Sequence, residues 1–257
     1  MVESKQQWKA WLYLSPAIVL LLVFTVWPII NTVRMAFLED YSGLEAIGGK
    51  VFQFGIGNFT KVIKYKRFLM CLKNTVLICV PTVLISSFLA LLIAVCLNSI
   101  KPLQRVLQTI FFLPYVTNSI AIGMVFAAMF NIVGNLGTKG NDIIVTAGII
   151  NNIIEFFGGN AVNWINAGST YAANMTVMII YIVWNALPFK ILILLGGLQS
   201  INKQYYDAAR VDGTPRTRIF TRITVPLLSP MIAYVVITGF IGGFKEYTSI
   251  VGIFGDT

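Results

Sequence analysis

Charge is scarce in this chain, so the few charged residues set among apolar neighbours are the ones that could do chemistry. The segment WNALPFKILILL places Asn185, Phe189 and Lys190 around Pro188. The segment GFIGGFKEY spaces Gly239, Gly243 and Glu246 at i, i+4 and i+7, one face of a helix. A charged side chain inside such a run is costly in lipid and marks a functional candidate. The chemistry on offer is recognition rather than bond making. Glycines leave space, a carboxylate accepts hydroxyl protons, and the ring of Phe189 offers a flat apolar face. A plainer reading stands beside this one. Gly239 and Gly243 also form a GxxxG pair of the kind that packs helices, and Lys190 and Glu246 could reach the interface or pair with another subunit.

Other chemistries lack their parts. The chain has no histidine and no acidic pair in its apolar runs, which leaves general acid-base and metal catalysis without donors. Cys71, Cys79 and Cys96 show neither zinc nor redox spacing and read as small packing residues. The phosphate-loop pattern G-x-x-x-x-G-K-[ST] does not occur, so no ATPase is expected in this chain.

A second constellation lies in the basic stretch YYDAARVDGTPRTRIFTRITVPLLSP, residues 205–230. Residues 204–211 read as a short helix with Tyr205, Ala208 and Ala209 along one side. Asp212-Gly213 forces a turn, because glycine accepts positive φ and aspartate bonds its own backbone nearby. Pro215 starts a second helix, where its missing N–H costs nothing. Arg216, Arg218 and Arg222 decorate that helix ahead of Val225-Pro226. The product is a compact helix-turn-helix knob beside the membrane, and composition alone would equally allow a plain basic interfacial loop.

These groups must be positioned by membrane helices. Hydrophobic residues make up 57% of the 257 and charged residues 11%, whereas a soluble domain carries about 25% charged. Five charge-poor runs approach or exceed the roughly 20 residues that cross about 30 Å of hydrocarbon: about 11–36, 74–98, 106–131, 171–196 and 223–245. The first is too long and too aromatic at its ends for a signal peptide. Trp11, Trp27, Tyr115, Tyr171 and Tyr247 sit near the run ends, where aromatic rings favour the interface. Pro81, Pro114 and Pro188 are expected to kink their helices. The fold class is therefore an all-α, polytopic helix bundle.

The loops differ in character. Residues 39–73 mix charge, glycine and aromatics and end in the basic amphipathic KVIKYKRFLMCLK, while 131–170 is Gly- and Asn-rich, with GIINNIIEFF a candidate short interfacial helix. The net charge of +9 fits basic loops and anionic lipid better than nucleic acid. Orientation by charge is undecided. With five spans, Lys5, Lys9, Lys101, Arg105, Lys203, Arg210, Arg216, Arg218 and Arg222 share the N-terminal side, and the other side holds as many. The short basic loops favour a cytoplasmic N-terminal side.

The run Asp207-Ala208-Ala209, then Asp212-Gly213, then Ile223-x-Val225-Pro226 resembles the EAA motif of binding-protein-dependent ABC importer permeases. It departs from Glu-Ala-Ala, Asp-Gly-Ala and Ile-x-Leu-Pro only by Asp207, Thr214 and Val225. WLYLSPAIVLLLVFTVWPII with FGIGNFTKV, RVLQTIFFLPYVTNSIAIGMVFAAMFN, the NWI near Trp164 and LLGGLQSINKQYYDAARVDG resemble the maltose- and glycerol-phosphate-type carbohydrate branch, first permease subunit. The resemblance implies a type I importer permease that moves a sugar or oligosaccharide by alternating access. It implies a second homologous permease in a heterodimer, two cytoplasmic ATPase subunits that bind ATP and Mg, and an extracellular solute-binding protein. It also implies a multi-pass bacterial-type cell membrane location with a cytoplasmic N-terminus.

By the same resemblance, residues 203–222 are the coupling loop. Asp207, Arg210 and Asp212 would make polar contacts with the ATPase, and Ala208, Ala209 and Gly213 would allow close approach. Phe189, Gly239, Gly243 and Glu246 fall at or beside sugar-contacting positions, with Asn185 and Lys190 as further pathway candidates. The family core has six crossings, so the last is expected to be missing after GIFGDT, which would lie in a loop. An ion-coupled secondary transporter is the alternative, and it would need membrane carboxylates beyond Glu246.

Overall fold

The computed structural model describes residues 7–100, 104–133, 138–139, 142–143 and 146–255. Lys5 and Lys101 from the charge comparison lie outside the described residues, as do the side chains of Arg105 and Lys139 and the last residues of GIFGDT. The chain divides into two compact units, 1–73 and 74–257.

The first unit opens with α1, Trp8–Ala36, long and apolar enough to cross a membrane. Its middle widens into a π turn at Leu22–Val26, directly before Trp27-Pro28. A proline has no N–H to donate and its ring clashes with the carbonyl four residues back, so a widened turn relieves both problems. Two short helices follow, α2 (Gly43–Ile47) and α3 (Gly57–Lys64). The FGIGNF stretch between them is a fastener. Asn58 Nδ2 donates to Leu38 O at 2.7 Å, and Glu39 Oε1 accepts from Gly57 N at 3.0 Å. Lys61 pairs with Asp40, and its ammonium holds that carboxyl below the usual carboxylate range.

Next comes α4, Lys66–Ser99. The apolar run at 106–131 is not one straight span. It forms α5 (Gln104–Val116) and α6 (Ser119–Phe130), which meet at 96°. The break falls three residues beyond Pro114, where Asn118 Oδ1 accepts from Ile120 N at 2.9 Å and caps α6. Tyr181 donates its hydroxyl to Ser119 O at 2.6 Å and pins the corner. By contrast, Pro81 and Pro188 remain inside single unbroken helices. Four helices are individually long enough to span, and five segments qualify if the bent pair counts as one crossing.

After α6, Ile132–Val133 pairs antiparallel with Thr146–Ala147, and α7 (Ile149–Phe156) confirms the expected short helix. Asparagines organise this loop. Asn151 is fully buried, and its Oδ1 accepts from Val162 N at 3.1 Å and from Trp164 Nε1 at 3.0 Å. The central helix α8, Tyr171–Ser200, has half of its apolar window buried. Then come α9 (Lys203–Val211) and α10 (Arg216–Phe244). A second π turn in α10, Phe220–Thr224, again sits just before an X-Pro pair, Val225-Pro226. The chain continues into α11, Thr248–Phe254, where the sequence suggested a loop.

Two apolar clusters hold this unit together. In one, Ala90 and Ala94 of α4 pack on Ile191, Leu194 and Leu198 of α8 and on Leu228 and Val235 of α10. Alanines one turn apart let the backbones approach, as membrane helices require. In the other, Phe130 of α6, Val177 and Tyr181 of α8 and Ile253 of α11 meet. Here α11 closes on α6 backbone to backbone, since a Cβ on Gly123 would lie 2.7 Å from the Gly252 Cα.

Candidate functional site

The pathway candidates meet at one place. Asn185, Phe189 and Lys190 of α8, Gly239 and Gly243 of α10, and Glu246 beyond its end all line one cavity of about 270 Å³. Periodicity explains part of this: residues 185 and 189 are one turn apart, as are 239 and 243. Glu246 arrives by another route. The helix stops at Phe244 with Lys245 as its cap, and Glu246 Oε1 accepts from Ser249 N at 3.2 Å at the start of α11.

The structure adds walls that sequence reasoning missed. Thr82 and Ser86 of α4, Tyr115 and Ser119 flanking the bend, and Thr238 of α10 face the same space. Tyr115 stacks on Phe189 with ring centroids 5.7 Å apart and planes 20° from parallel. Hydroxyls at 82 and 86, one helical turn apart in an otherwise apolar run, were the available signal. The result is a small chamber lined by an aromatic pair and by several hydroxyl-bearing side chains.

Lys190 neither reaches the interface nor pairs with a carboxylate among the described residues. It is only 4% exposed, and its ammonium donates to Ser86 Oγ at 2.7 Å and Ser87 Oγ at 2.9 Å. The glycines serve packing as well as space. A Cβ on Gly243 would meet Cys79 Sγ at 2.5 Å, and one on Gly239 would lie 3.1 Å from Lys190 Nζ. The two glycines thus both pack α10 against its neighbours and line the chamber.

The knob forms as its turn chemistry dictates. Asn202 Oδ1 accepts from Gln204 N at 3.0 Å and caps α9. At the other end Gly213 adopts φ +66°, and its N–H donates to Arg210 O at 3.0 Å while Thr214 N donates to Ala209 O at 3.0 Å. This is the left-handed glycine stop of a helix C-terminus. Pro215 takes the N-cap of the next helix rather than its first turn. Tyr206, not foreseen from sequence, ties the knob to α10 through a 3.2 Å hydroxyl contact with Thr224.

Asp207, Ala208, Arg210, Asp212 and Gly213 are exposed, whereas Ala209 is buried. The small side chain of Ala209 therefore serves the inside of the knob. Asp207 and Arg210 lie 3.5 Å apart with both side chains largely exposed, a pairing worth little in stability. Both groups are thus accessible to a partner. No cluster of metal-ligating side chains occurs among the described residues.

A polytopic helical transport subunit is the class that this bundle, chamber and knob define. Residues 74–257 match the family described as binding-protein-dependent transport system inner membrane component, and the chain belongs to it. It is accordingly a multi-pass inner-membrane subunit of a transporter and not an enzyme. The lactose transport system permease of Rhizobium radiobacter is 31% identical, with 93% of this chain and 74% of that protein covered. An arabinooligosaccharides transport permease of Bacillus subtilis is 29% identical over 92% of this chain and 69% of its own. A trehalose/maltose permease of Thermococcus litoralis is 28% identical, covering 93% and 75%. Among solved structures, a bacterial ABC transporter for import of the acidic polysaccharide alginate superposes with a TM-score of 0.76 at 21% identity, covering 98% of this chain and 79% of the other. That neighbour carries the same fold.

Proposed function

We propose that this chain forms one half of the membrane pathway of an ATP-driven importer that delivers a sugar or oligosaccharide to the cytoplasm. The observation that carries the reading is the convergence of Asn185, Phe189, Lys190, Gly239, Gly243 and Glu246 on one chamber. Its volume of about 270 Å³ sits at the lower edge of the roughly 300–1,000 Å³ of ligand clefts, which suits a site completed by a second, homologous permease. The relatives for lactose, arabinooligosaccharides and trehalose/maltose support a saccharide cargo.

In this reading an extracellular solute-binding protein hands over the sugar. A bacterial alginate ABC transporter of similar fold was solved in complex with a periplasmic protein bound to an alginate pentasaccharide. Two cytoplasmic ATPase subunits bind ATP and Mg and grip the knob at residues 203–222 through Asp207, Arg210 and Asp212. Their closure pushes α9, and the Tyr206–Thr224 contact passes that push to α10, a rigid-body element that lines the chamber. The N-terminus and the knob share the cytoplasmic side.

The chamber is tested by sugar uptake in the reconstituted complex, with saturating sugar-loaded binding protein. Phe189→Ala removes the stacked ring and Glu246→Gln removes the charged acceptor. Each is expected to slow uptake about tenfold, the size of one lost contact of about 1.4 kcal/mol. Unchanged sugar affinity and rate in both variants would remove the chamber from the pathway.

A further inference from the structure

The hydrogen bonds around Lys190 define both its charge and its freedom. Its Nζ has three acceptors, all from α4: Ser86 Oγ at 2.7 Å, Ser87 Oγ at 2.9 Å and Val83 O at 3.4 Å. The Ser86 hydroxyl proton is already committed to Thr82 O, so toward Lys190 that oxygen can only accept. An ammonium has three N–H donors and no acceptor, whereas a neutral amine has two donors. The site is built for the cation, and all three of its donors are spent on the protein. No carboxylate lies within 4 Å of it among the described residues. On α10, Gly239 leaves the gap that the ammonium fills, since a Cβ there would stand 3.1 Å from Nζ and 3.3 Å from Val83 Cγ1.

A cation with no spare donor is poorly equipped to bind a sugar hydroxyl, yet it borders the chamber through which the sugar is proposed to move. Its amine is held in place by α4 through these bonds. In a membrane interior the field of such a charge is weakly screened and reaches several ångströms into the chamber. Glu246 lines the same chamber beyond the end of α10, and one of its oxygens is occupied by the Ser249 N–H. The two charges form no ion pair among the described residues.

We propose that Lys190 is a fixed electrostatic barrier that keeps monovalent cations from leaking through the solute pathway while a neutral sugar passes. A positive charge held in a pore wall is a recognised way to reject cations. The inference rests on the pathway reading of the chamber. An importer in an energised membrane needs such a seal, because a hydrated passage for a polar cargo is equally a passage for potassium or sodium.

The test uses the complete transport complex in potassium-loaded proteoliposomes, with potassium efflux followed during ATP-driven turnover, when the pathway opens. Lys190→Met removes the charge, Lys190→Gln removes it while keeping polar reach toward Ser86 and Ser87, and Lys190→Arg keeps it. Efflux is expected to rise about tenfold in the Met and Gln variants, in line with the effect of one charge on local ion concentration in a cleft, and to stay at the wild-type level with Arg. If either neutral variant, purified as an intact complex, is as tight as wild type, the barrier is refuted. Sugar uptake by the wild-type vesicles is recorded in parallel. Normal uptake with tight neutral variants overturns the barrier alone, whereas absent uptake overturns the pathway reading and the barrier with it.

Discussion

Gly243 shows how little slack surrounds the chamber. A methyl group there would stand 2.5 Å from Cys79 Sγ and 3.3 Å from Cys79 Cβ, and Cys79 is itself fully buried. Its neighbour in the motif has softer surroundings, because the atom nearest Gly239 is the tip of the Lys190 side chain. Gly243→Ala is therefore expected to force α4 and α10 apart and to destabilise the subunit by about 1–3 kcal/mol, the usual cost of overpacking. Thermal unfolding of the detergent-solubilised complex measures this. A companion Cys79→Ala change should restore most of the loss by making room, and no restoration would mean that the clash lies elsewhere.

At the scale of elements, the knob depends on a single backbone angle. Proline is locked near φ −65°, so Gly213→Pro cannot adopt the observed +66° and also loses the N–H bond to Arg210 O. The complex should still assemble, while ATP hydrolysis no longer drives uptake. Parallel assays of ATPase activity and transport check this, and transport surviving the change would rule out the docking role. This knob was legible in the sequence because its determinants are local: the Asp212-Gly213 turn and, two residues after the glycine, Pro215. Pro114 marked a kink in the 106–131 run, but the 96° bend between α5 and α6 was not legible from it. The corner depends on Tyr181 reaching Ser119 O from another helix. The polar wall of α4 was missed for a related reason: in a membrane helix, Thr82 and Ser86 look like hydroxyls that merely bond the preceding turn, which they also do.

For the whole molecule, the bent pair decides topology. If α5 and α6 together make one crossing, then α1, α4, the bent pair and α8 carry the chain across four times and return the knob to the N-terminal side. A re-entrant pair would put the knob on the opposite face. The proposed reading, in which the knob and the N-terminus are both cytoplasmic, requires the first arrangement. Cysteines introduced at Ser99 and Asn160 flank the bent pair: a membrane-impermeant maleimide should label the Asn160 site from outside intact cells and the Ser99 site only after the membrane is opened, and labelling of both from the same side would reject the arrangement. The joint between Gly123 and Gly252 carries a consequence for how the molecule is made. The two glycines are separated by half the chain, so the ribosome delivers α6 long before α11 exists to brace it. The corner that shapes one side of the chamber must then wait in the bilayer with its glycine face unfilled. Closing so distant a contact is slow, and the chamber is among the last parts of this unit to be assembled during biogenesis.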